Sequence, residues 1–90
     1  MQILIIEDDT QTAKFIQKGL QESGYVVDHA EDGEAGLQQA MSTQYDALVI
    51  DRMLPKLDGL AIIEQLRGQG FNVPILILSC LLYTSDAADD

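Results

Sequence analysis

The chain is poor in several things that would point elsewhere. It has one cysteine, Cys80, which can neither close an internal disulfide nor build a thiolate metal site, so a reducing, cytoplasmic setting is expected. It has only 5 lysines and arginines against 15 aspartates and glutamates, a net charge of −10. That balance argues against this segment gripping nucleic acid or an anionic membrane through its own field. Its longest apolar stretch, residues 73–82, is interrupted by Pro74 and Ser79. It falls well short of the ~20 residues needed to span a bilayer. No basic stretch with a cleavage site opens the chain, so no signal peptide is expected. No Gly-x-x-x-x-Gly-Lys loop is present to cradle a nucleotide phosphate.

What the chain does have is globular: 90 residues, 47% hydrophobic and 22% charged, with 7 glycines and 2 prolines. That length suits one small domain, which buries only ~60–65% of its unfolded surface and holds little stability in reserve.

Three acids stand where apolar runs stop. Glu7 and Asp8 follow Ile3-Leu4-Ile5-Ile6, and Asp51 follows Ala47-Leu48-Val49-Ile50. Short, nearly continuous, β-branched runs suit parallel strands covered on both faces. An acid at such a strand's end lies at the carboxyl edge of the sheet, where open α/β folds bind ligands. Three carboxylates together repel one another and call for a cation.

The remainder repeats a strand–helix unit. Asp9 and Thr10 can cap a helix to about residue 23, with Ala13, Ile16 and Leu20 at helical spacing and Gly24 as the stop. Residues 25–30 read as a second, more polar strand, expected at an edge. Asp32-Gly33 opens a short helix with Leu37, Ala40 and Met41 on one stripe, and residues 46–50 form the third strand. A loop with Pro55 leads to a helix over about 58–69, with Gly59, Ile62, Ile63 and Leu66 inward and Gly70 at its end. Residues 74–79 are the fourth strand, its proline tolerated at the start. The fold class is therefore α/β, a doubly wound parallel sheet of β-α-β-α-β-α-β order with right-handed crossovers. With strands in the order 2-1-3-4, the switch point lies between the first and third strands, the two that end in acids.

Three blocks in register carry a family resemblance: Ile3-Leu4-Ile5-Ile6-Glu7-Asp8-Asp9, then Asp51-Arg52-Met53-Leu54-Pro55-Lys56-Leu57-Asp58-Gly59, then Pro74-Ile75-Leu76-Ile77-Leu78-Ser79. Over residues 1 to about 80 the chain resembles the receiver domain of two-component response regulators. It is most similar to the branch joined to a winged-helix DNA-binding domain. The resemblance implies a flavodoxin-like fold and a phosphorelay module in which Asp51 takes phosphate from a sensor histidine kinase. It implies Mg²⁺ held by Asp8, Asp51 and the backbone carbonyl of Met53, with Glu7 completing the pocket through metal-bound water. Ser79 matches the hydroxyl that turns toward the new phosphoryl oxygens. The resemblance also implies transcription regulation by the parent protein and allows a homodimer in it. Hard oxygen ligands are what Mg²⁺ prefers, and phosphoryl transfer depends chiefly on alignment and charge cancellation.

The chain departs from the family after Ser79. Receivers continue with a fourth helix, a fifth strand ending in Lys-Pro and a fifth helix, yet residues 80–90 contain no lysine or arginine. The expectation is a partial receiver over 1–80, truncated after the fourth strand, with 81–90 a non-native or disordered tail; a deletion is the second explanation. Weak stability and at best weak phosphorylation follow. Lys56 reads as a solvated loop cation rather than a replacement for the missing lysine, and Cys80 as a small buried residue. His29 has no expected relay role, and Phe15, Tyr25 and Phe71 read as packing residues. Two other classes fit the sequence less well. A haloacid-dehalogenase-like phosphatase needs a second aspartate where Met53 stands. A flavodoxin-like flavin binder needs a hydroxyl- and glycine-rich loop where Glu7-Asp8-Asp9 would repel its phosphate.

Overall fold

A computed structural model describes residues 1–52, 54 and 57–78. Met53, Pro55, Lys56, Ser79, Cys80 and residues 81–90 lie outside them, so the expectations placed on those residues are not addressed by the structure. The elements run β1 (Gln2–Ile6), α1 (Thr10–Glu22), β2 (Val26–Ala30), α2 (Gly33–Ser42), β3 (Ala47–Asp51), α3 (Gly59–Gly68) and β4 (Ile75–Leu78). All pairings are parallel and the strand order is β2-β1-β3-β4, the order under which the acid-ended strands flank the switch point. The polar strand β2 lies at one edge. β3 extends one residue further than its apolar run, so Asp51 is the strand's last residue and pairs with Leu78.

The apolar runs form central strands because both sheet faces are covered. Leu4, Ile6, Leu48 and Ile50 pack against α2 and α3 with Leu37, Ala40, Ile62 and Leu66. Ile3, Ile5, Val27 and Val49 face the other way, with Ile16 and Leu20 of α1 against them. Alternation along each strand assigns every side chain to one layer or the other. Burying each large apolar side chain stabilises the fold by ~1.5–3 kcal/mol.

An aspartate caps each helix. Asp9, Asp32 and Asp58 accept the backbone N–H groups of Gln11, Ala35 and Ala61 at 3.2, 2.8 and 2.9 Å. Gly24 (φ 94°) and Gly70 (φ 88°) take the left-handed conformation that ends α1 and α3, where a side chain would strain the backbone. Arg67 then holds the following loop, donating from Nη1 and Nη2 to the carbonyls of Phe71 and Val73 at 2.8 Å each.

Two packing expectations are corrected. Phe15 is 82% exposed, because the stripe Ala13-Ile16-Leu20 sets α1's inward face and leaves the phenyl ring on its flank. Tyr25 is also exposed, whereas Phe71 packs against the core.

Candidate functional site

The topology brings the strand-end acids together. Glu7 and Asp8 leave β1 and Asp51 ends β3, and these strands are neighbours paired through Ile6↔Ile50. One carboxylate oxygen from each of Glu7, Asp8 and Asp51 lies within 4.8 Å of the others, a spacing that could hold a metal ion. The acids sit in a cleft of about 600 Å³ shared with Asp9, Thr12, Phe15, Ile16, Ile77 and Leu78.

The three differ in surroundings. Glu7 is buried at 4% exposure, the only buried charged side chain among the described residues. Burial raises its carboxyl from the usual 4.5 to about 7, and neighbouring Asp51 and Asp8 push the same way; the Asp9 backbone N–H, donating to Glu7 Oε2 at 3.0 Å, opposes this only in part. Asp8 is exposed and Asp51 half-buried. A buried carboxyl with two acidic neighbours is the environment a divalent cation relieves, so the donor set fits one.

Asp9, the third acid of the run, is used differently. Its side chain accepts from the Gln11 N–H at 3.2 Å and the Thr12 hydroxyl at 2.6 Å, so it caps α1 and stands outside the cluster.

Glycines set the floor. Gly59, the first residue of α3, donates its N–H to the Arg52 carbonyl at 3.1 Å, and a Cβ there would lie 2.7 Å from the Asp51 carbonyl oxygen. A Cβ on Gly36 would meet the Ile6 side chain at 2.5 Å. One further contact was not foreseen in the sequence: a ring nitrogen of His29, Nε2, lies 2.7 Å from the Glu7 carbonyl oxygen. Its signal would have been the β1–β2 register, Ile5↔His29, which sets the imidazole beside the acid-bearing strand end. Of the expected site residues, Glu7, Asp8 and Asp51 converge; Met53 and Ser79 lie outside the described residues.

The chain has known relatives. Residues 3–89 match the family model of the response regulator receiver domain, and the chain belongs to that family. It is 47% identical over 81 residues to the Probable transcriptional regulatory protein SilR of Salmonella typhimurium, covering 90% of this chain and 36% of SilR. It is 42% identical over 81 residues to the transcriptional regulatory protein CusR of Escherichia coli K12, with the same coverage of 90% and 36%. The chain thus spans about a third of the length of these relatives. The solved receiver domain of Francisella response regulator 1452 superposes with a TM-score of 0.83 at 37% identity, covering 84% of this chain and 63% of that one. TrrA of Thermotoga maritima, solved in complex with Mg²⁺-BeF, gives 0.81 at 30% identity, covering 84% and 66%. The chain is therefore a response-regulator receiver with a flavodoxin-like doubly wound sheet. Neither a phosphatase nor a flavin binder is favoured.

Proposed function

We propose that Asp51 is the phosphoacceptor of this receiver and that Glu7, Asp8 and Asp51, with the Met53 carbonyl, hold Mg²⁺ beside it. The observation carrying this reading is the convergence of three carboxylates within 4.8 Å at the switch point of the sheet. The similarity to TrrA, solved with Mg²⁺-BeF, supports the choice of metal. When bound, the ion supplies charge neutralisation for an anionic phosphoryl group among three acids.

The residues of the chain do the rest. A carboxylate oxygen of Asp51 attacks the phosphorus of a phosphohistidine on a sensor histidine kinase. An O–P bond forms, the P–N bond breaks, and its electron pair leaves with the imidazole, which takes up a proton. Glu7 and Asp8 supply carboxyl oxygens beside the acceptor, and Glu7 gives up its proton as a cation arrives. Ser79 is the hydroxyl that gains a phosphoryl partner once Asp51 is modified. The module is an acceptor and switch rather than a turnover enzyme, working in the cytoplasm as residues 1–80 of a receiver within a transcription regulator.

Incubating the chain with a small phosphodonor and Mg²⁺ tests the proposal. The expected result is weak, acid-stable and base-labile phosphate that disappears in Asp51→Asn. Phosphate that survives Asp51→Asn overturns it.

A further inference from the structure

We propose that His29 is a positioning residue for the metal-binding turn, its imidazole fixing the Glu7–Asp8 peptide through a hydrogen bond to the Glu7 carbonyl. The inference rests on the receiver reading of the acidic cluster and adds to it a residue outside that cluster.

The β1–β2 ladder stops where the site begins. Its last paired residues are Ile6 and Ala30, and the Glu7 N–H still donates to the Ala30 carbonyl at 3.0 Å. Beyond that point β2 ends, and Asp32 turns the chain into the cap of α2. The Glu7 carbonyl therefore stands at the end of the pairing, on the peptide whose nitrogen belongs to Asp8. The His29 Nε2 reaches this oxygen at 2.7 Å. A carbonyl oxygen only accepts, so the ring nitrogen donates, and the neutral imidazole is the tautomer with its proton on Nε2.

The geometry follows from strand alternation. His29 pairs with Ile5, and Ile3, Ile5 and Val27 share the α1 face. The His29 side chain is on that same face, one step along β2 from Ala30, and it can lean toward the strand end that carries Glu7. Fixing one carbonyl fixes the plane of the Glu7–Asp8 peptide and hence the start of the Asp8 side chain. Glu7 is also attached through its N–H to Ala30, and through its carboxyl to the Asp9 N–H and to the side chains of Asp51 and Asp8. None of these is made by the Glu7 carbonyl itself. Groups one bond removed from a metal ligand commonly orient it in this way.

The test is an amide chemical-shift titration of the ¹⁵N-labelled 90-residue chain with Mg²⁺ at pH 8. The expected outcome is that His29→Leu weakens apparent Mg²⁺ affinity by about two- to ten-fold, the range for losing one hydrogen bond. His29→Gln, whose amide can place an N–H near the Nε2 position, stays within about two-fold of the parent. An unchanged affinity in His29→Leu, or a loss in His29→Gln equal to that in His29→Leu, overturns the inference and leaves the receiver reading standing. No response of the parent chain's Asp8 and Asp51 amides to Mg²⁺ sinks the metal site itself, and the inference with it. Where His29→Leu fails to fold, the imidazole ¹⁵N signals of the parent decide. A protonated Nε2 that shifts on Mg²⁺ saturation is expected, and a bare Nε2, or one indifferent to Mg²⁺, overturns the assignment.

Discussion

The carbonyl oxygen of Asp51 lies 2.7 Å from where a Cβ on Gly59 would stand, and Ile50 Cγ2 and Arg52 Cα lie only 3.0 and 3.1 Å from the same point. The start of α3 is thus seated directly on the end of β3. Two of those three neighbours are backbone, so neither can rotate aside. Gly59→Ala is expected to destabilise the fold by ~1–3 kcal/mol, as overpacking does, and to displace Asp51 from Glu7 and Asp8. Gly19, inside α1, has nothing within 4 Å of its Cβ position. Gly19→Ala is expected to gain up to ~1 kcal/mol from helix propensity. Thermal melts followed by circular dichroism should move in opposite directions for the two variants; equal shifts would contradict the packing at Gly59.

Glu7 gives the fold a pH dependence whose sign can be worked out. Burial holds its carboxyl at about 7 in the folded chain against an ordinary 4.5. Between those values the folded state binds the extra proton, so this contribution is fully present below about pH 4.5 and is lost as pH rises through about 7. Without Mg²⁺, the melting temperature of the parent should fall relative to Glu7→Gln as pH rises across that window. A divalent ion favours the ionised carboxylate, so Mg²⁺ affinity should strengthen over the same range with proton release. Parallel melting curves for parent and variant from pH 4.5 to 7.5 would show that Glu7 is not the group responsible.

Much of this arrangement was legible in the sequence, for identifiable reasons. Ile3-Leu4-Ile5-Ile6 and Leu48-Val49-Ile50 are apolar on both faces, which only interior parallel strands require, and they occupy the two central positions. Asp9, Asp32 and Asp58 each precede an amphipathic stripe and each caps a helix. The separation of Asp9 from Glu7 and Asp8 was legible as well, because Asp9 stands one turn before the Ala13-Ile16-Leu20 stripe and so reads as a cap. The contact between His29 and the Glu7 carbonyl depends on strand register, which periodicity alone does not fix. Phe15 misled because aromatic residues are usually buried; its place beside Ile16 puts it at the flank of the stripe.

Tyr45 ties β2 to the C-terminal half of α2 from beneath the sheet. Its hydroxyl donates to Asp28 Oδ2 at 2.7 Å and accepts from Gln39 Nε2 at 3.0 Å, and the ring is buried in the core. Burial, with the neighbouring Asp28 carboxylate, raises the phenol's pKa above its ordinary value of 10.0. Tyr45→Phe keeps the ring and removes both bonds, so a loss of ~0.5–1.5 kcal/mol is expected by urea titration. In Mg²⁺ titrations the same variant should match the parent, because Tyr45 lies before β3 and the acids lie at the strands' other ends. A change in metal affinity would show that the two ends of the sheet are coupled.

β4 is, among the described residues, the apolar outer strand of the sheet, and self-association through it is expected. Among the described residues β4 pairs with β3 alone, and its four residues, Ile-Leu-Ile-Leu, carry no charge to discourage another strand. Leu76 is 62% exposed, and Phe15 lies bare beside Ile77 and Leu78 in the cleft wall. Apolar edges of this kind recruit further strands, and the net charge of −10 opposes that only at a distance that salt screens. Light scattering should therefore show self-association that grows from 50 to 500 mM NaCl. Leu76→Lys should suppress it while changing stability by no more than ~0.5 kcal/mol, the usual bound for exposed positions. Ile62→Ala, which hollows the core beneath the same sheet, should cost ~2–5 kcal/mol and worsen association through unfolding. Association that persists unchanged in Leu76→Lys would place the sticky surface elsewhere than β4.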